Sequence, residues 1–525
     1  MVKKIMLNHT KWFYFSLFVV LSIITCFLQP HDDDWQYLYY FDNPERWGFS
    51  KYEYVKDCIL LPGSYWRPLW SIFNRMEAMF LPVSMPYANH IFISFGMVGI
   101  AYQTFLLCLK LSIKRIISIV ISLVLIFATT SMGAMLSVDS FQNVYAAFFG
   151  LMSCLVYVNT SGWKKWILWF IFGWLAAMGK ETGFVWFVVA PIFSEIVRQK
   201  TINGIFKFSL VNYGKVIPKV IISFIPIILY LGLYISLKPE MLNNVGFVSD
   251  QNTTIQTVSE SNNKSMLETM TEMEEHNSYK LSPSTLVKNV AVLYVLGIVP
   301  VDTVSVYFKN YVLLIITVIL SLIWLVCISR DLLTFIKEHW QETLAVFLLA
   351  FWVSGPSLVT RAGEISPIIH MSIVALFFAL FFNKIKYSKK IILGTVCFIF
   401  ATLITDCHKY FVAYKAGAIT MNMAKNIVEE TTVVPNNVLM IQVDDFAKKK
   451  SGAFMINPAD GIRKGSAMIR EYEYKYPNKL DYISIPDDSK ISNRVDSLVY
   501  NAKGKYDCVW FCHDTKTKVY NLKEK

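Results

Sequence analysis

The feature that most constrains this chain is its series of apolar runs long enough to cross a bilayer. The first, Trp12–Leu28, contains no charged residue, and about 20 residues of helix span the hydrocarbon layer. Further runs occupy Ile91–Leu109, Ile116–Thr130, Val144–Val158, Trp166–Met178, Phe184–Val197, Val220–Leu237, Tyr311–Ile328, Thr343–Leu358, Ile368–Phe382 and Ile391–Thr405, giving about eleven spans. Inside lipid every backbone N–H must bond within its own segment. The expected fold class is therefore an α-helical polytopic membrane protein. Composition agrees, since 54% hydrophobic and 17% charged residues with 38 Phe, 28 Tyr and 14 Trp lie outside the soluble range. The first run is too long for a signal peptide and lacks a small-residue cleavage site, so it is read as an uncleaved span.

Short cytoplasmic loops collect Lys and Arg, and the basic residues here alternate sides consistently. Lys3 and Lys4, Lys110 to Arg115, Lys164 and Lys165, Arg198 to Lys219, Arg330 and Lys337, and Lys384 to Lys390 share one side. The amino terminus is expected in the cytoplasm of a bacterial inner (plasma) membrane and the carboxyl terminus outside. The net charge of +12 is largely this excess, so it does not argue for nucleic acid. Cys26, Cys108, Cys154, Cys327 and Cys397 fall inside apolar runs as small hydrophobes, and no metal spacing or disulfide framework stands out. Cys508 and Cys512, four apart in a strand, are roughly 13 Å apart, too far to bridge.

The expected organisation is a membrane domain over residues 1–407, with outer loops at 30–89 and 238–284, and a small exoplasmic α/β domain over 408–525. The stretch Leu286–Phe308 is broken by Pro300 and Asp302 and reads as interfacial or re-entrant. In the last domain a helix at Ala413–Glu430 precedes strands Asn437–Val443, Leu480–Ile485 and Tyr506–Cys512, with helices near Ile462–Tyr474 and Asn493–Ala502 between them. Asp444 and Asp445 after the first strand are read as a strand-end turn.

The acids Asp32, Asp33 and Asp34 stand directly after the first span. Glycosyl transfer to a hydroxyl needs a base beside the attacking oxygen, and a phosphate leaving group needs cations but no general acid. Carboxylates set against Arg or Lys meet that demand. On an extended segment Asp32 and Asp34 share a face while Asp33 points away. Two such charges at 4 Å repel by about 4 kcal/mol at an effective dielectric near 20, so one requires a proton, a metal or an arginine.

Four motifs taken in order resemble the GT-C superfamily of polytopic glycosyltransferases, particularly its O-mannosyltransferase-like members. They are Asp33-Asp34-Trp35 after the first span, Tyr65-Trp66-Arg67-Pro68-Leu69 late in the first loop, His90 at the start of the second span, and Lys180-Glu181 at the end of the fifth. The resemblance covers roughly the first 200 residues. It departs at Ile93, where the family carries asparagine, and in the extra acid Asp32. The resemblance implies transfer of a sugar from a polyprenyl-phosphate carrier to a glycan, lipid or protein hydroxyl. It makes Asp33 the base and Asp34 its partner, which orients the acceptor or binds a divalent ion, and it leaves metal dependence open. Arg67, His90, Lys180 and Glu181 become substrate-binding residues, and Asp139 stands where related enzymes carry a second acid.

The residues alone leave other readings open. The acid cluster could instead fix the topology, Arg67 could pair with a loop acid, Lys180-Glu181 could end a helix, and Asp139 reads by its residues alone as a solvated loop acid. Arg361, with Glu364 and His370 at the end of the tenth span, is either a bidentate ligand for lipid phosphate or an interfacial anchor. The alternative functions are a polysaccharide polymerase or ligase using lipid-diphosphate oligosaccharide, and a transporter or flippase.

Overall fold

The computed structural model describes residues 2–28, 68–69, 72–73, 88–237, 283–307, 310–359, 367–443, 462, 477–485, 489–513 and 516–523. The first part of the bundle comprises α1 (Val2–Cys26), α2 (Ala88–Lys110), α3 (Arg115–Ile126), α4 (Thr129–Leu136), α5 (Phe141–Asn159), α6 (Gly162–Gly179), α7 (Trp186–Asn203) and α8 (Tyr213–Leu237). The second comprises α9 (Pro283–Val290), α10 (Val304–Tyr307), α11 (Tyr311–Glu338), α12 (Trp340–Val359), α13 (Ile368–Lys384) and α14 (Lys389–Glu430). Each apolar run of the sequence falls on these helices. Among the described residues six are long and apolar enough to cross a bilayer, or seven crossings if the bent pair α3–α4 counts as one. The protein has the fold of a helical membrane protein.

Apolar side chains such as Ile221 and Ile228 on α8 and Val312 and Val326 on α11 face outward, as a lipid-facing surface requires. Inside, close helix contact depends on small residues. At Gly150 an added Cβ would lie 2.3 Å from the Trp186 indole, so only glycine lets α7 seat that ring on α5. At the end of α7, Gly204 takes φ +70°, the left-handed conformation that closes a helix and that glycine adopts without strain. The run Ile116–Thr130 is one straight span in the sequence reading. In the structure it bends by 53° between α3 and α4, because Ala128 is extended (φ −60°, ψ 139°).

Two ends of the bundle can be distinguished by their contacts. At one, the chain leaves α1 at buried Leu28, α2 begins beside His90, and α13 begins at Ile368. At the other, Lys114 N donates to Asn383 Oδ1 at 3.0 Å and Lys200 Nζ to Glu342 Oε1 at 2.9 Å.

The segment after Pro283 enters and leaves at the His90 end. Helix α9 continues as a π-helical turn, Ala291–Leu296, descending along α12, with Asn289 Nδ2 bonded to Leu358 O at 2.8 Å and Tyr294 Oη to Ser354 Oγ at 2.6 Å. The chain then turns, and Pro300 O accepts from Ser321 Oγ at 3.1 Å. Ser321 lies ten residues into α11, about 15 Å along it at 1.5 Å per residue. From there the chain returns through Asp302 and α10 to the start of α11. The path is a hairpin that enters and leaves the bundle by the same end. Pro300 and Asp302, which interrupt the apolar run, form its return limb.

Helix α14 is 42 residues long, about 63 Å, twice the hydrocarbon thickness. The helix read as separate from Ala413 is thus the continuation of the last span, and position 408 falls inside it. Val412, Ala413 and Ala416 pack against Leu28, Leu136 and Val304, whereas Met423, Ala424 and Ile427 pack against a sheet. That sheet has the order β2-β1-β3-β4, from β1 (Asn437–Val443), β2 (Lys479–Ile485), β3 (Cys508–His513) and β4 (Lys516–Asn521). The first three are parallel and β4 is antiparallel to β3. Helix α15 (Ile491–Ala502) covers the opposite face, Val495 and Ala502 meeting Leu439, Ile441 and Val509. A central strand covered on both faces must be apolar throughout, as Val438 to Ile441 are. Strand β4 was not anticipated. The expected helix near Ile462–Tyr474 lies outside the described residues apart from Ile462, as do Asp444 and Asp445.

Candidate functional site

Several residues singled out in the sequence lie at the His90 end. His90, in the first turn of α2, is buried, and its Nδ1 lies 3.3 Å from Met135 O at the end of α4. A carbonyl only accepts, so Nδ1 carries the proton of that bond. After α4 the chain makes a single 3-10 turn, Val138–Ser140, before α5. Ser140 Oγ fixes this turn by donating to Ala134 O and, at 2.7 Å, to Ser137 O. Asp139 is the middle residue of that turn.

Two residues into α5, Asn143 is buried and its Oδ1 accepts from Lys180 Nζ at 2.8 Å. Lys180 follows the last residue of α6, and Glu181 opens the 3-10 turn Glu181–Val185. The turn folds tightly on α6, because a Cβ at Gly183 would stand 2.1 Å from Ala176 O. Helix termini thus hold Lys180 and Glu181 on the same side as Asp139 and His90. The loop also reaches this surface. Phe73 stacks on Phe141 with ring centroids 4.6 Å apart and meets Phe92 edge-on at 4.4 Å, and Pro68 is buried.

The remaining expected site residues, Asp33, Asp34, Arg67 and Arg361, lie outside the described residues, as do Asp32 and Glu364. Arg361 belongs to the stretch between α12 and α13. His370, on α13, does not face an open site. It is fully buried, with Nε2 3.1 Å from Leu293 O and its ring 4.9 Å from that of Tyr294. Among the described residues no three His, Cys, Asp or Glu side chains gather in a metal-holding arrangement. Cys508 and Cys512 are free and buried.

A second polar group at this end was missed. Asp302, on the return limb, is wholly buried, with Oδ2 2.7 Å from His408 Nδ1 on α14 and 2.6 Å from Ser305 Oγ. The next residue, buried Lys409, donates from Nζ to Thr129 O at 3.1 Å, joining α14 to the start of α4. Neither oxygen of the buried Asp406 has a hydrogen-bond partner among the described residues. The interruption of an apolar run by Asp302 signalled a bend, but its partner is 106 residues distant, and nothing local to either residue names the other.

No family model, curated protein or solved structure matches this chain.

Chemically, the His90 end combines a hydrogen-bonded lysine, a buried histidine bonded through Nδ1 and the termini of several helices. The buried carboxyl group of Asp302 lies against His408, and the buried Asp406 is on the same stretch of α14 as Lys409.

Proposed function

We propose that the protein is a membrane glycosyltransferase of the GT-C type, moving a sugar from a polyprenyl-phosphate carrier to a hydroxyl acceptor at the outer face of a bacterial inner membrane. The observation that supports this reading is the placement of His90, the turn containing Asp139, the Asn143–Lys180 pair and Phe73 of the first loop at one end of the bundle. These belong to stretches separated by up to 107 positions in the sequence, and two of the ordered motifs, His90 and Lys180-Glu181, supply residues to them. In the proposed topology about eleven spans place the amino terminus in the cytoplasm, and the hairpin adds no crossing.

In the reaction the acceptor oxygen attacks the anomeric carbon while its proton passes to Asp33, with Asp34 orienting the acceptor or binding a divalent ion. The bond from that carbon to the carrier phosphate breaks, and phosphate leaves as an anion held by Lys180 and the arginines Arg67 and Arg361. His90, Asp139 and Glu181 bind sugar or acceptor hydroxyls. No proton donor is needed for such a leaving group.

The deciding experiment is transfer of labelled sugar from polyprenyl-phosphate by purified Asp33→Asn protein, with carrier binding measured separately. Loss of a positioned base costs about 10²–10⁴ in rate, so transfer should collapse while binding survives. Full transfer in both Asp33→Asn and Asp34→Asn would overturn the reading. A second reading, a lipid flippase, draws on the hairpin, since broken helices line many transport paths. Lipid movement without sugar transfer would favour it.

A further inference from the structure

The opposite end of the bundle carries a different kind of site. Between α3, α13 and α14 lies a cavity of about 350 Å³ whose walls include Ile121, Val124, Phe378 and Ile399. Its deep limit is the tip of the hairpin, Gly297 and Ile298. The volume is within the range of ligand sites, roughly 300–1,000 Å³, but the lining offers almost nothing for a polar ligand to bond. A hydrocarbon chain is the occupant such walls suit. Ile116 and Val120, on the same wall, are 77% and 46% exposed, so the cavity opens sideways toward lipid.

The charges at its mouth identify the headgroup. Tyr387 borders the cavity, and exposed Lys384, Lys386, Lys389 and Lys390 surround it in sequence, with Lys114 two residues before Ile116. Lys114 N bonded to Asn383 Oδ1 ties the two groups of lysines together. The stretches 110–118 and 382–392 contain no acid. On α11, Asp331 is adjacent to Arg330 and Glu338 to Lys337, so that helix adds no net charge. A dry slot ending in a cluster of uncompensated lysines matches a phospholipid with an anionic headgroup.

We propose that this cleft binds an anionic phospholipid from the leaflet at the lysine-rich end, one acyl chain lying against α3, α13 and α14 and the phosphate among Lys114, Lys384, Lys386, Lys389 and Lys390. The chain end abuts Gly297–Ile298, so the bound lipid braces the hairpin from below. The site is independent of the glycosyl-transfer reading, because it lies at the end of the bundle away from His90 and Lys180.

The test is lipid retention by the purified full-length protein, measured by native mass spectrometry after exchange into phosphatidylglycerol, phosphatidylcholine or polyprenyl phosphate. Wild type should retain phosphatidylglycerol over phosphatidylcholine by about tenfold at low salt, as lysines near anionic lipid contribute severalfold each. Val120→Trp fills the cleft from a half-exposed position and should lower retention of both phospholipids about tenfold. The triple change Lys386→Gln, Lys389→Gln, Lys390→Gln alters only exposed side chains and should abolish the headgroup preference while chain binding persists. Equal retention of both phospholipids by wild type, an unchanged preference in the triple variant, or unchanged retention in Val120→Trp at the same thermal midpoint would each overturn the site. Preference for polyprenyl phosphate over phosphatidylglycerol would overturn the assigned occupant.

Discussion

The carboxylate of Asp302 and the imidazole of His408 are 2.7 Å apart, joining the return limb of the hairpin to the helix that carries the α/β domain. Ser305 donates to the same carboxylate oxygen at 2.6 Å, and Thr317 Oγ1 accepts from Asp302 N at 3.1 Å. A buried acceptor that loses its partners, or partners that lose a buried acceptor, cost about 1–3 kcal/mol. Asp302→Ala is therefore expected to destabilise the protein by that amount, seen as a lower thermal midpoint in detergent. Asp302→Asn, which still accepts one bond, should recover part of the loss. An unchanged midpoint in Asp302→Ala would remove the pair's structural role.

Lys180 is aimed by Asn143. If its charge stabilises the departing phosphate, Lys180→Met should lower sugar transfer more than carrier binding, by about 10²-fold, the effect of removing one oriented donor. Asn143→Ala should give a smaller loss, since the ammonium remains but its direction is freed. Equal transfer by Lys180→Met and wild type would dismiss the residue from the reaction.

Arg361→Lys separates charge from shape at the proposed phosphate. The planar fork of arginine grips phosphate with two bonds and lysine cannot, so transfer should fall while the protein still folds and inserts. Unchanged turnover in both Arg361→Lys and Arg361→Ala would leave Arg361 an interfacial anchor.

Orientation is open to a thiol probe in the last domain. Tyr500 on α15 is 73% exposed, whereas burial pushes the thiols of Cys508 and Cys512 up to about 12 and leaves them inert. Tyr500→Cys in intact cells should gain labelling by a membrane-impermeant maleimide relative to the parent chain. Labelling only after lysis would put the domain in the cytoplasm.

Acid should loosen that domain through Asp507. Burial alone would raise its carboxyl, but Lys523 at 2.6 Å and the backbone N–H groups of Asn436 and Asn437 outweigh it and hold the group below its ordinary range. A depressed folded-state value means the stabilisation is present above the unfolded value, near 3.9, and disappears as pH falls through the folded one. Asp507→Asn should accordingly lower the stability of the sheet at neutral pH by about 1–3 kcal/mol and flatten its acid dependence, read by hydrogen exchange at β1 and β3. Identical exchange in the two proteins at pH 7 would refute this.

The sequence alone determined the helices and most of the last sheet. A charge-free run is locally committed to helix in lipid, and Val438–Ile441 is apolar without interruption because both faces of β1 are covered. It also located His90 and Lys180 at the ends of spans, since topology follows from where charge stops an apolar run. Only the tertiary structure decided that α3 and α4 are a bent pair, that the helix from Ala413 continues the last span, and that the chain through Pro300 turns back beside Ser321. Only packing brought Asp302 to His408 and Asn143 to Lys180. Such pairs bond residues far apart in the chain, and hydrophobic periodicity records which face of a helix is buried but not which helix buries it.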